Sequence, residues 1–243
     1  MVTVENVTKV FQIPHERTKT LFHKLTSIFR STYNYEKFYA LRDVSFQIGK
    51  SEFIGIIGRN GSGKTTLLRI IAGIYQPTSG RVQVNDEVTP FLEIGLGFQG
   101  DFTVRENIYI NGALLGFSRK EIDKLFNNII EFAELENFRD IKLNKLSAGM
   151  QVRLAFTVAI QSHAPILIVD EVMAVGDTVF QKKCRELFWK YKKQRRTVIF
   201  VSHDLASVKE YCDRVIVLHK GSVVNDGNTE DMIRYYKEQI LLQ

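Results

Sequence analysis

Apolar and polar positions alternate along residues 1–11 and again along 39–49, the period-two pattern of half-buried strands. Residues 12–37 interrupt that alternation. Within them Leu21, Phe22, Leu25, Ile28 and Phe29 fall on one face of a helix, so this insertion predicts an amphipathic helix. The run "EFIGIIG" at 52–58 is short, apolar and ends in glycine, as a buried parallel strand does. Residues 64–73 then read as a helix with Gly73 as its stop, and strand-like runs follow around Arg81–Phe91. Thr103-x-x-Glu106 and Ser118-x-x-Glu121 are capping boxes, each predicting a helix start. Behind the second, Ile122, Leu125, Phe126, Ile129, Ile130 and Ala133 form a 3.6-period stripe. A third helical run spans 147–162. "ILIVDE" at 166–171 and "TVIFVSH" at 197–203 are buried strands flanking a helix at 178–194. Residues 214–226 read as a hairpin about Lys220-Gly221, and a last helix fills 229–241. Strands and helices alternate from residue 52 onward, which predicts an α/β fold with a mainly parallel sheet between helices.

Length and composition keep the picture ordinary. The 243 residues suit one large α/β domain or two small ones, and 44% hydrophobic with 25% charged residues is typical of a globular protein. No apolar run approaches the ~18 residues of a membrane span, and the N-terminus lacks the pattern of a secretory signal. Cys184 and Cys212 show no metal-ligand spacing and read as reduced thiols of a cytosolic protein. The net charge of +6 is uneven: residues 181–196 carry +7 and the 12–37 insertion +3. Such basic segments suit nucleic acid or anionic lipid. For 181–196 the simpler reading is a solvated helix face, because Cys184, Leu187, Phe188 and Tyr191 recur at helical spacing between the charges.

Chemistry concentrates in two places. "GRNGSGKT" at 58–65 matches G-x-x-x-x-G-K-[ST] between a buried strand and a helix, the context a P-loop NTPase requires. Gly58, Arg59, Asn60, Gly61, Ser62 and Gly63 would wrap backbone N–H groups around phosphate oxygens at the start of that helix, with Thr66 following. Lys64 would reach the β- and γ-phosphates of ATP, and the Thr65 hydroxyl would bind Mg²⁺. "ILIVDE" delivers Asp170 and Glu171 to the carboxyl end of a strand, where ligands of open α/β sheets sit. Asp170 would hold Mg²⁺, and Glu171 would act on the attacking water. His203 follows a third buried strand, placed to hydrogen-bond the transferred group.

"GLGFQG" at 95–100 also matches a phosphate-binding pattern, the G-x-G-x-x-G of dinucleotide sites. Its context fails. No acid ends a second strand about twenty residues on, since Glu121 and Asp123 lie in a capped helical stripe. The stretch reads instead as a Gly-rich loop leading into the helices that start at Thr103.

"LSAGMQVRLAF" at 146–156 resembles the signature motif of ABC-type ATPases, whose usual form is Leu-Ser-Gly-Gly-Gln. Leu146, Ser147 and Gly149 match, while Ala148 and Met150 depart. The P-loop, this motif, "ILIVDE", a D-loop at Gly176-Asp177 and His203 occur in the family's order, so the resemblance covers essentially the whole chain. It implies an ABC nucleotide-binding domain over 1–243: a RecA-like core, an antiparallel β part and a helical subdomain at about 100–160. It also implies a homodimer in which Ser147 and Gly149 contact ATP held by the partner subunit. "FLEIGLGFQGDFTVRENIYINGALLGFSRKEI" and "DEVMAVGDTVFQKKC" resemble ATPases that export lipid-linked polysaccharide such as O-antigen, capsule or teichoic acid. That likeness implies a separate membrane permease, an undecaprenyl-diphosphate-linked glycan as cargo, a place at the cytoplasmic face of the inner membrane, and no nucleic-acid partner. The adenine-stacking aromatic of the family falls on Phe11 or on Tyr39. The position that senses the γ-phosphate falls near Glu93 or Ile94, with Gln99 the only glutamine nearby; Glu93 would reach Mg²⁺ or its water. The 12–37 insertion reads as a contact with the membrane surface, a docking element for the permease, or a packed excursion. The chain ends at Gln243 after its last helix, without the C-terminal carbohydrate-binding domain of some relatives, as a natural short form or a truncated one.

Overall fold

The computed structural model describes residues 1–14, 35–91, 97–170 and 177–242. Two sheets organise it. Strands β1 (Val2–Pro14), β2 (Tyr35–Ile48) and β4 (Ser79–Val84) form an antiparallel sheet in the order β2-β1-β4. The alternation read over 1–11 and 39–49 underestimates these strands. Pairing continues through Phe11↔Phe38 to Pro14↔Tyr35, so the two strands form a ribbon that projects beyond the apolar pattern. The excursion therefore narrows to 15–34, and the helix read there lies outside the described residues.

The second sheet has six strands in the order β5-β6-β7-β3-β8-β9. These are β3 (Phe53–Ile57), β5 (Val88–Phe91), β6 (Ile166–Asp170), β7 (Thr197–Val201), β8 (Arg214–His219) and β9 (Ser222–Asn228). All neighbours are parallel except the β8–β9 hairpin. Its turn is Lys220-Gly221, both at positive φ, as a two-residue hairpin requires. Every residue of β3 and β7 is buried, because helices and the other sheet cover both faces.

On one face, α1 (Lys64–Ile71) and the three-stranded sheet bury Val4, Leu41, Ile54, Leu68 and Ile199. On the other lie α5 (Thr178–Lys193), α6 (Leu205–Tyr211) and α7 (Thr229–Tyr236). Phe188 centres that layer, with Phe53, Phe200 and Tyr211 rings 5.8–6.3 Å away. Cys184 and Cys212 pack in this layer as small apolar groups, and burial pushes the Cys184 thiol up to about 12. The inward stripe of α5 is Phe180, Cys184, Phe188 and Tyr191, and of the basic stretch 181–196 the exposed residues are Lys182, Arg185, Lys190, Lys193 and Arg195.

A third core belongs to helices alone. It joins α2 (Val104–Leu114), α3 (Arg119–Ala133) and α4 (Ala148–Ala159) through Ile108, Ile122, Phe126, Ile130 and Leu154. Both capping boxes form as their sequences predict, Thr103 with Glu106 and Ser118 with Glu121. Helix α3 ends on Glu134 at φ 59°, a left-handed position where glycine is the usual residue. Strain of about 1–2 kcal/mol accompanies a side chain there.

Candidate nucleotide site

The site grows from the register of three strands. Ile56 pairs with Val201, and Val201 pairs with Asp170, so β3, β7 and β6 end level with one another. The 58–66 loop continues β3, His203 lies two residues beyond β7, and Asp170 closes β6. Two strand spacings, about 10 Å, separate the β3 and β6 ends.

The loop itself is built for close approach. A Cβ on Gly58 would fall 2.2 Å from the Leu218 carbonyl oxygen and 2.5 Å from Ser62 Oγ. Gly63 has φ 105°, and a Cβ there would lie 2.6 Å from the Ala40 carbonyl oxygen. Gly63 is also the N-cap of α1, with no side-chain cap and no acid in the first turn. The first N–H groups of α1 therefore face the loop with their dipole uncompensated by protein charge. Lys64 is only 7% exposed; its ammonium donates to the carbonyls of Gly58 at 2.8 Å and Arg59 at 3.2 Å. Ser62 Oγ is buried and makes no hydrogen bond among the described residues. The loop thus holds a positive charge and an unsatisfied hydroxyl beside an open helix start, a cradle for phosphate oxygens.

A cavity of about 260 Å³ opens on this cradle. Asn60, Gly61, Gly63, Lys64, Thr65 and Thr66 line its floor, and His203 lines it from beyond β7. Phe38 and Ala40 of β2 form the remaining wall. Phe38 is 49% exposed, a large apolar ring at the mouth of a polar pocket. Neither aromatic expected from the sequence lines it. Phe11 packs edge-on against Tyr75 at 5.9 Å, with the Lys9 ammonium 5.3 Å from its ring. Tyr39 lies under the Arg42 guanidinium at 4.4 Å. The β8–β9 turn braces the loop from behind. The N–H of Gly221 donates to the Ser62 carbonyl, and its own carbonyl accepts from the Arg42 N–H. Sequence reasoning missed both Phe38 and Gly221; each acts through pairing between distant strands.

The chain belongs to the ABC transporter family. The family model "ABC transporter" matches residues 41–174. Three curated relatives extend the match. The O-antigen export system ATP-binding protein RfbB of Klebsiella pneumoniae is 45% identical over 83% of this chain and 82% of that protein. The ABC transporter protein AbcA of Aeromonas salmonicida is 38% identical over 100% of this chain and 78% of its own length. The teichoic acids export ATP-binding protein TagH of Listeria monocytogenes is 39% identical over 84% of this chain and 60% of that protein. Among solved structures, the dimeric post-hydrolysis state of the ATP-binding cassette MJ0796 bound to ADP and Pi superposes with a TM-score of 0.75 at 26% identity. That likeness covers 94% of this chain and 99% of MJ0796. The chain is accordingly an ABC-type ATPase with the α/β cassette fold.

Among the described residues, Ser147, Gly149, Asp177 and Gln99 do not line the cavity. Ser147 is the N-cap of α4 and accepts from the Met150 N–H. It and Gly149 are exposed, and a Cβ on Gly149 would meet nothing within 4 Å. Asp177 caps α5, accepting from the N–H groups of Val179 and Phe180. The Phe180 N–H, with Arg153 and Lys183 nearby, holds its carboxyl below the usual range. Glu171, Glu93, Ile94 and Gly176 lie outside the described residues. Gln99 is exposed, and its backbone is held by the buried Asn107, whose Oδ1 accepts from the Gln99 N–H at 2.7 Å. Phe98 packs against the α2–α4 core.

Proposed function

We propose that two copies of this chain hydrolyse ATP to drive export of a lipid-linked polysaccharide through a separate membrane permease. The observation that carries the chemistry is the cavity, where Lys64, the helix start of α1 and His203 converge, His203 following the strand next to the one that ends in Asp170. The likeness to the O-antigen export protein RfbB and the teichoic acids export protein TagH supports the cargo class. The O-antigen type, an undecaprenyl-diphosphate-linked glycan, is the first reading. Teichoic acid or capsule is the second, favoured by the TagH likeness. In this reading the subunit works at the inner-membrane face docked to its permease; among the described residues no helix is long and apolar enough to cross a membrane.

In this reading the ammonium of Lys64 exchanges the Gly58 and Arg59 carbonyls for the β- and γ-phosphate oxygens. Ser62 Oγ and the N–H groups of the loop from Arg59 to Thr66 complete the cradle. Phe38 stacks on the adenine, in the role the sequence assigned to Phe11 or Tyr39. Thr65, Asp170 and Glu93 carry hard oxygen donors that would suit Mg²⁺. Bound there, Mg²⁺ supplies charge neutralisation on the phosphates. Glu171 orients the attacking water and takes its proton, while His203 donates to the γ-phosphate. Ser147 and Gly149, exposed and away from their own cavity, close over the ATP of the partner subunit, with Asp177 at the junction.

Lys64→Ala tests the site. Removing the ammonium from a buried phosphate cradle should abolish nucleotide binding by titration with a fluorescent ATP analogue. Unchanged affinity would refute the assignment.

A further inference from the structure

Ion pairs such as Arg81–Glu5, Arg105–Asp140 and Lys209–Glu230 are exposed and contribute little. The group around Glu134 differs. Its Oε2 accepts from Arg153 at 2.9 Å, and its Oε1 accepts from Lys183 at 2.7 Å. Arg153 is on α4 and Lys183 on α5, so one carboxylate holds two helices by one oxygen each. Arg153 also lies 3.5 Å from Asp177 Oδ2, the cap of α5. Its side chain is 13% exposed and packs 5.8 Å from the Phe180 ring, while Lys183 lies 5.9 Å from Phe132. The cluster is therefore half-dry, where charged hydrogen bonds are strong and hold geometry.

Its position along the chain is informative. Arg153 stands one turn beyond Gly149, about 6 Å along the axis of α4. Asp177 begins α5, and only residues 171–176 separate it from Asp170. The cluster thus ties the α4 helix, whose exposed end is Ser147–Gly149, to the start of α5. Glu134 itself sits in the left-handed conformation, where glycine would end α3 at least as well. Glycine would bring no carboxylate.

We propose that Glu134 is a positioning residue for ATP hydrolysis: by holding Arg153 and Lys183 together it makes the Ser147–Gly149 end of α4 and the start of α5 move as one body. This rests on the function proposed above. Glu134 does not line the cavity, so its effect falls on turnover and not on binding.

Glu134→Gly separates the clamp from the cap, since it keeps the left-handed turn and removes the carboxylate. In the full chain, affinity for a fluorescent ATP analogue should stay within about twofold of wild type while kcat falls about tenfold or more. Glu134→Gln carries the same test should the glycine variant fail to fold. In a cycle with Arg153→Gln the two losses should not add, because either change breaks the same tie. A variant with normal turnover beside an active wild type overturns the inference alone. A wild type that does not hydrolyse ATP overturns the proposed function and this inference with it.

Discussion

Lys64 and Phe38 show how differently two residues of one cavity are specified. Lys64 is fixed by eight consecutive residues, and a short motif between strand and helix is enough to find it. Phe38 reaches the cavity because β2 pairs with β1 across a 20-residue gap and lies against the β8–β9 turn. No local pattern carries that information. Alternation suggests only that Phe38 and Ala40 share a face, and the neighbouring Tyr39 and the paired Phe11 are equally aromatic. The geometry gives a direct residue-scale expectation. Phe38→Ala should weaken ATP binding by roughly 1–3 kcal/mol, the usual loss for one base–aromatic stack. Phe11→Ala should leave affinity near wild type, since its ring packs on Tyr75. Titration of both variants checks the choice, and the reverse ranking would return the role to Phe11.

Elements were more legible than contacts. The capping boxes at Thr103 and Ser118 formed where four-residue patterns placed them, because capping is satisfied within one turn. The stripe of α5 was equally clear, and Lys182, Arg185, Lys190 and Lys193 between its apolar positions are exposed. What the pattern could not show was the charged tie from α5 back to α3 and α4. Lys183, Arg153 and Glu134 are ordinary polar positions in their own helices and meet only in three dimensions. Strand ends were also misjudged: the β1–β2 ribbon continues because backbone pairing needs no apolar alternation. The inward face of α5 supports the whole layer over the sheet. Phe188→Ala would remove a fully buried ring from contact with Phe53, Phe200 and Tyr211. A loss of about 3–5 kcal/mol is expected in urea unfolding. A loss under about 1 kcal/mol would mean that this layer packs otherwise.

At the scale of the whole molecule, the parallel sheet gathers the chemistry. Aligned ends of β3, β7 and β6 bring together residues more than a hundred positions apart, the arrangement expected of ligand sites on open α/β sheets. The order of elements predicted that sheet, and the register completed it. One copy is nonetheless only half of the proposed machine. Ser147 and Gly149 are exposed and do not line the cavity, and in the proposed function they act on the ATP of a second copy. The most direct measurement is the mass and turnover of Glu171→Gln with ATP and Mg²⁺, by size exclusion with light scattering beside a phosphate-release assay. The account predicts that this variant binds ATP, loses about a hundredfold or more in turnover, and accumulates as a dimer. A variant that stays monomeric and hydrolyses ATP at the wild-type rate would contradict it.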